Sequence, residues 1–146
     1  MDGTVNKTLQ RSRGEAGLAF RDGDLARLYQ RGAAKSLLPR THAMAHEAVL
    51  VNTAGGITGG DRYQYECDVE ASHVVVTTQA AERAYRSSTD DVACVDVRLA
   101  ARDGATLHWL PQETILFEGS RMARRIEVDL DTVSYTHLRA HETLLD

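Results

Sequence analysis

Lysine is almost missing from this chain. Lys7 and Lys35 are the only two, and the other basic residues are arginines scattered along a sequence of net charge −4. Without a basic patch, nucleic acid is not an expected partner. Cysteine is equally scarce. Cys67 and Cys94 stand alone with no CxxC spacing, so both read as reduced thiols and a disulfide framework is not expected. No apolar stretch follows the N-terminal charges to make a signal peptide, and no apolar run reaches membrane-spanning length. A cytoplasmic location without a membrane partner is the expectation. Sustained helical periodicity is lacking too.

What is present is strand pattern. The 146 residues are 42% hydrophobic and 26% charged, enough for one domain with a buried core. Residues 1–15 are polar and expected to be flexible. Ala16–Phe20 alternates weakly and leads into an Arg21–Asp24 turn. Leu25, Leu28 and Tyr29 open a short segment, and the run from Ala33 to Arg40 is stopped at Pro39. His46–Val51 reads as a buried strand. Tyr63, Tyr65, Cys67 and Val69 alternate with polar residues at period two, and Val74–Thr78 is β-branched throughout. Val92–Leu99, Leu107–Leu110, Thr114–Phe117 and Ile126–Leu130 complete a mainly β chain.

Ala71–Gln79 (A-S-H-V-V-V-T-T-Q) is echoed by Gly104–Gln112 (G-A-T-L-H-W-L-P-Q). Strand–turn units of similar register can stack as layers of a solenoid, although two strands can also resemble each other by chance. Val133–Asp146 has a different texture and resembles translated adapter sequence. It is set aside as a non-native tail, the alternative being a native helix carrying His137 and His141.

Between two of the strands lies Asn52–Asp61, N-T-A-G-G-I-T-G-G-D. Gly55, Gly56, Gly59 and Gly60 demand an unusual backbone. One reading is a tight turn; the other is a bent loop that holds Asp61 in place. It is not a phosphate-binding P-loop, because Asp61 and Arg62 stand where lysine and a hydroxyl belong. No helix follows, which removes a dinucleotide-binding fingerprint. His42 and His46 have the four-residue spacing of a metal pair on a helix, but Leu50 stands where the zincin pattern needs its next histidine, so they read as surface residues. Asp61, Glu82 and Glu113 are the carboxylates at strand ends. Such groups hold divalent cations weakly, or stand as solvated charges and arginine partners.

Four motifs together resemble the urease accessory protein family UreD, also called UreH. They are Leu28-Tyr29-Gln30 with Lys35 and Leu38-Pro39-Arg40; the glycine loop Asn52–Asp61; Thr77–Ser87 (T-T-Q-A-A-E-R-A-Y-R-S), with Gln79, Tyr85 and Arg86; and Leu107–Phe117 (L-H-W-L-P-Q-E-T-I-L-F), with Trp109, Pro111 and Gln112. They occur in the family's order across residues 16–132, which the resemblance identifies as the N-terminal part of a UreD-like β domain about half the family's length. It implies stacked strands like an irregular β-helix, incomplete at the C-terminus. It implies a non-enzymatic scaffold joining the urease apoprotein to UreF and, through it, to the nickel-carrying GTPase UreG. No tightly bound cofactor is implied, only Ni²⁺ in transit through an internal route. Asp61 and Glu82 match family positions and are the expected transit ligands. The position after Asp61 can be acidic in the family, whereas here it is Arg62, a cation that would repel Ni²⁺ unless it points away or is paired. Two other functions compete. One is a metal-dependent hydrolase using Asp61, His108 and Glu113, and the other is a structural interaction module in which Asp61 is exposed and unpaired.

Overall fold

The computed structural model describes residues 9–132, which form eleven strands and no helix. They are β1 (Arg13–Arg21), β2 (Asp24–Gly32), β3 (Ala34–Leu37), β4 (His46–Asn52), β5 (Arg62–Glu70), β6 (His73–Thr78), β7 (Glu82–Ala84), β8 (Ala93–Arg102), β9 (Thr106–Leu110), β10 (Thr114–Leu116) and β11 (Met122–Leu130). The mainly β class agrees with the alternation in the sequence. The boundaries differ in places. β1 starts within the N-terminal stretch expected to be flexible. β2 is a full strand, because Asp22 and Gly23 both take positive φ and fold it back antiparallel on β1. The tail with His137 and His141 lies outside the described residues.

Three sheets hold the strands. The large sheet has the order β11-β8-β5-β1-β2, the middle sheet β3-β4-β6-β9, and the short sheet β10-β7. Among the named strands the β1–β2 and β3–β4 pairs are antiparallel and the rest are parallel. From β4 onward the chain visits the sheets in strict rotation: middle, then large, middle and short twice over, then large. Ile57 takes the short sheet's place on the first pass through an isolated parallel bridge to Ala84.

From β4 onward the spacing between partners on stacked strands runs from twenty-eight positions (His46 to Val74) and twenty-nine (Ala93 to Met122) up to thirty-three. Arg62 pairs with Cys94 thirty-two positions on, Glu82 with Thr114 thirty-two on, and His73 with Thr106 thirty-three on. The last of these is the sequence echo itself: Val74 lies on Leu107 and Val76 on Trp109. The corners match as well, since Ala71 and Gly104, thirty-three apart, both take positive φ (48° and 70°). β1 and β5 pair across a larger gap because the β2–β3 excursion is inserted between them.

The core is the space the sheets enclose. Leu18, Phe20, Tyr63, Val69, Val95 and Val97 enter from the large sheet, Ala48, Leu50, Val74 and Val76 from the middle one, and all are buried. Each large apolar side chain so buried contributes about 1.5–3 kcal/mol. The outer wall of the large sheet is charged, and along one row its signs alternate down the stack. Glu66, Arg98 and Glu127 are register partners, with Arg98 at 4.0 Å from Glu66 and 3.3 Å from Glu127. Exposed pairs of this kind add little stability. They do disfavour a shifted register, which would set like charges side by side.

Candidate functional site

The glycine loop, the Thr77–Ser87 segment and the Leu107–Phe117 segment are far apart in sequence and adjacent in space. Each turns the corner from the middle sheet to the short one on successive passes. Backbone hydrogen bonds tie the corners together: Ile57 N donates to Arg83 O at 2.8 Å, Tyr85 N to Ile57 O at 2.8 Å, Glu82 N to Glu113 O at 2.9 Å, and Phe117 N to Ala84 O at 3.0 Å. Gln79 N reaches Leu50 O at 3.0 Å, and Gln112 N reaches the Thr78 hydroxyl at 2.9 Å. Tyr85 stacks on Phe117 with ring centroids 5.3 Å apart.

The close fit explains the glycines. Gly55 and Gly60 have φ of 78° and 92°, conformations in which a side chain is strained. Gly56 and Gly59 are needed for space. A Cβ on Gly56 would lie 2.3 Å from the Tyr85 ring, and one on Gly59 would lie 2.4 Å from Asp91 O. Thr58 and Arg86 complete the contact, the Thr58 hydroxyl donating to Arg86 O at 3.1 Å.

Asp61 is buried at 3% exposure. Its Oδ1 accepts from Ser12 N at 2.8 Å and its Oδ2 from Thr58 N at 3.0 Å. The carboxylate thus closes the glycine loop and pins the chain just ahead of β1. The bare-turn reading, which requires an exposed and unpaired Asp61, does not describe this loop. Arg62 is exposed on the outer side of β5, so the cation beside Asp61 points away from the interior.

The three corners surround an interior cleft of about 170 Å³. Of the motif residues, Gly55, Gly56, Gln79, Trp109, Pro111 and Gln112 line it; Asp61, Gly59, Gly60, Tyr85 and Arg86 do not. Glu82 is the one carboxylate on its wall, with Tyr65, Val95, Val97 and Ile126 opposite. Burial pushes the Glu82 carboxyl up from its ordinary value, and Arg124 opposes that rise. The Arg124 guanidinium forms an ion pair with Glu82 and donates to the Thr114 hydroxyl at 2.9 Å. Tyr63 feels the charge of both Asp61 and Glu82. Its hydroxyl bonds with the Ser12 hydroxyl and donates to Asn52 Oδ1 at 3.1 Å. Burial raises the Tyr63 hydroxyl, and the negative charges of Asp61 and Glu82 raise it further. Tyr65 is raised by burial first and Glu82 second.

Sequence reasoning missed Ser12, Asn52, Tyr63 and Arg124. For Arg124 a signal existed. Met122, Ile126, Val128 and Leu130 share its parity, so the alternation runs four residues further back than Ile126 and places an arginine at an inward position.

The other candidates do not converge. His108 is exposed and its ring lies 5.4 Å from that of His73. Glu113 is exposed, Asp61 is buried elsewhere, and none of the three lines the cleft. Among the described residues no three of histidine, cysteine, aspartate and glutamate gather into a metal-holding group. A hydrolase built on Asp61, His108 and Glu113 is therefore ruled out by placement. His42 is exposed in a loop, while His46 opens a strand rather than a helix. Contrary to the surface expectation, its ring is half-buried, 5.1 Å from Phe20, with a bond to Gly23 O. Cys67 is buried and free, and burial pushes its thiol up to about 12; Cys94 is free and half-buried. Among the described residues no helix is long and apolar enough to cross a membrane.

Residues 12–138 match the family model described as UreD urease accessory protein. The chain is 56% identical over 118 residues to urease accessory protein UreD of Chelativorans sp. (strain BNC1), covering 80% of this chain and 42% of that one. It is 50% identical to UreD of Ruegeria pomeroyi, with 73% and 42% covered, and 44% identical to UreD of Brucella suis, with 89% and 48% covered. The chain thus spans less than half the length of these relatives.

Proposed function

Because this chain belongs to the UreD family of urease accessory proteins, we propose that it serves urease maturation in the cytoplasm as a non-catalytic scaffold. It joins the urease apoprotein to UreF and, through UreF, to the nickel-carrying GTPase UreG, and it passes Ni²⁺ inward toward the urease active site. The observation that carries this reading is the placement of the motif corners. Three signature segments of the family meet around one interior cleft whose single carboxylate is Glu82. A transit site must admit a divalent cation and then release it. Thiolate or multi-histidine cages would retain nickel, given its high place in the affinity order. A lone carboxylate helped by hydroxyl and amide oxygens and by water holds it loosely.

Glu82 and Asp61 are the proposed transit ligands, with unequal parts. Glu82 faces the cleft directly. Asp61 must give up at least one of its two backbone bonds to take a cation, so its larger part is to fix the loop and add negative charge near Tyr63.

The test is urease activation in a chain extended to the length of the relatives. Glu82→Gln is expected to lower activation several-fold while UreF capture stays as in the parent and circular dichroism shows a folded chain. Unchanged activation removes Glu82 from the route. Asp61→Ala is interpretable only beside a melt, because it also strips acceptors from two backbone amides.

A further inference from the structure

Arg124 is out of place in its column. In the large sheet the inward positions stack in register, and Arg124 lies on Val95, which lies on Tyr63, which lies on Gly14. Along β11 its inward companions are Met122, Ile126, Val128 and Leu130. A guanidinium at such a position is costly unless paired. It is paired: Arg124 reaches across the cleft to Glu82 on the short sheet and donates to Thr114, the residue stacked directly on Glu82. We propose that Arg124 is a latch on Glu82, a built-in cation that occupies the carboxylate and must swing away before a divalent cation can bind in the cleft.

Two further observations bear on this. The first is charge. The charged residues on the cleft wall are Glu82, Arg83 and Arg124. With the latch in place the wall carries net positive charge and repels a cation. With Arg124 withdrawn, Glu82 and Arg83 balance, and the carboxylate is free to coordinate. The second is mobility. The Glu82 side chain is 22% exposed and the Arg124 side chain 31%, on a strand whose outer flank is open among the described residues. Arginine is long enough to leave the cleft for solvent with its stem still packed, whereas Glu82 is fixed on a three-residue strand between two neighbouring corners. The latch makes admission conditional: a partner that offers Arg124 a better anion opens the site, and until then the interior stays closed to stray divalent ions. It also separates the cation seen by Glu82 from the exposed Arg62 that flanks Asp61.

The inference rests on the nickel-transit reading, but its test does not use urease. The tag-free 146-residue chain, its Arg124→Met variant and the Arg124→Met/Glu82→Gln double variant are titrated with Ni²⁺ by equilibrium dialysis at pH 7.5 and low salt. Methionine matches the neighbouring inward residues and keeps the packing. Arg124→Gln serves instead if circular dichroism finds the methionine variant unfolded. Removing the competing charge is expected to tighten one Ni²⁺ site by about tenfold. The added Glu82→Gln change is expected to abolish that gain, which discounts any background binding by histidines. An Arg124→Met variant that binds like the parent overturns the latch. So does a gain that survives loss of Glu82. If the latch holds in dialysis but Glu82→Gln leaves urease activation intact, the transit reading fails and the latch stands.

Discussion

Strands β8 and β11 are parallel neighbours in one sheet and alternate in the same phase, yet their inward faces have different fates. On β8, Ala93, Val95, Val97, Leu99 and Ala101 are all buried. On β11, Ile126 is 46% exposed and Val128 51%. The in–out pattern belongs to the sequence, but burial belongs to the next layer. β8 has β5 on one flank and β11 on the other; among the described residues nothing covers the far flank of β11. Leu116, at the same level on the short sheet, is open as well. In a stack of layers each pass of chain completes the environment of the pass before it.

The sharpest way to break this comparison is to truncate the same residue type on both strands. Val97→Ala is expected to cost about 2–3 kcal/mol, through lost burial and the cavity left behind. Val128→Ala is expected to cost about 0.5 kcal/mol or less. Urea unfolding followed by circular dichroism measures both. Equal costs would mean that the β11 face is covered in solution, and a concentration-dependent midpoint would identify a second copy as the cover.

A somewhat smaller effect belongs to the glycine-loop corner, away from the β11 edge. Asp61→Ala leaves two amides without their acceptor, and is expected to cost about 2 kcal/mol. Asp61→Asn, which keeps one oxygen, should fall between that variant and the parent. An Asp61→Ala melt matching the parent would show that water replaces the carboxylate.

Glu82, ion-paired to Arg124 on β11, is expected to act mainly through pH. Its folded pKa is raised above the unfolded value near 4.5. A carboxyl shifted this way stabilises the fold fully below the unfolded value and loses that contribution as pH rises through the folded one. The urea midpoint of the parent relative to Glu82→Gln should therefore fall as pH goes from 4.5 to 7. A flat difference would mean that Arg124 offsets burial completely.

Much of this was legible beforehand, for identifiable reasons. Strands such as β5 and β6 announce themselves because period-two alternation and β-branching act locally. The Ala71 and Gly104 echo was legible because stacked layers impose the same demands on residues one pass apart. β2 was not, because Asp24–Gly32 lies at a sheet edge, exposed along its whole length, and so no inner face imprints an alternation on it. β7 was missed because three residues are too few for any period. The corners carried their glycines visibly, but not the reason for them. Gly56 is small on account of Tyr85 and Gly59 on account of Asp91, contacts that exist only after the layers meet. The Glu82–Arg124 pair spans forty-two positions, and its only local trace is the arginine interrupting an apolar column.

The register between stacked partners sets which edits the chain can absorb. Excising residues 62–93 would carry Cys94 onto the place of Arg62, Val95 onto Tyr63 and Val97 onto Tyr65. Inside would remain inside, with one pass fewer. A cut one residue longer or shorter would swap the two faces of the spliced strand, until a corner takes up the difference, as the corners on either side of β6 and β9 already do between steps of thirty-two and thirty-three. Length change in this molecule is therefore quantised: whole laps are survivable, and within a lap the freedom lies in the corners and in the β2–β3 excursion.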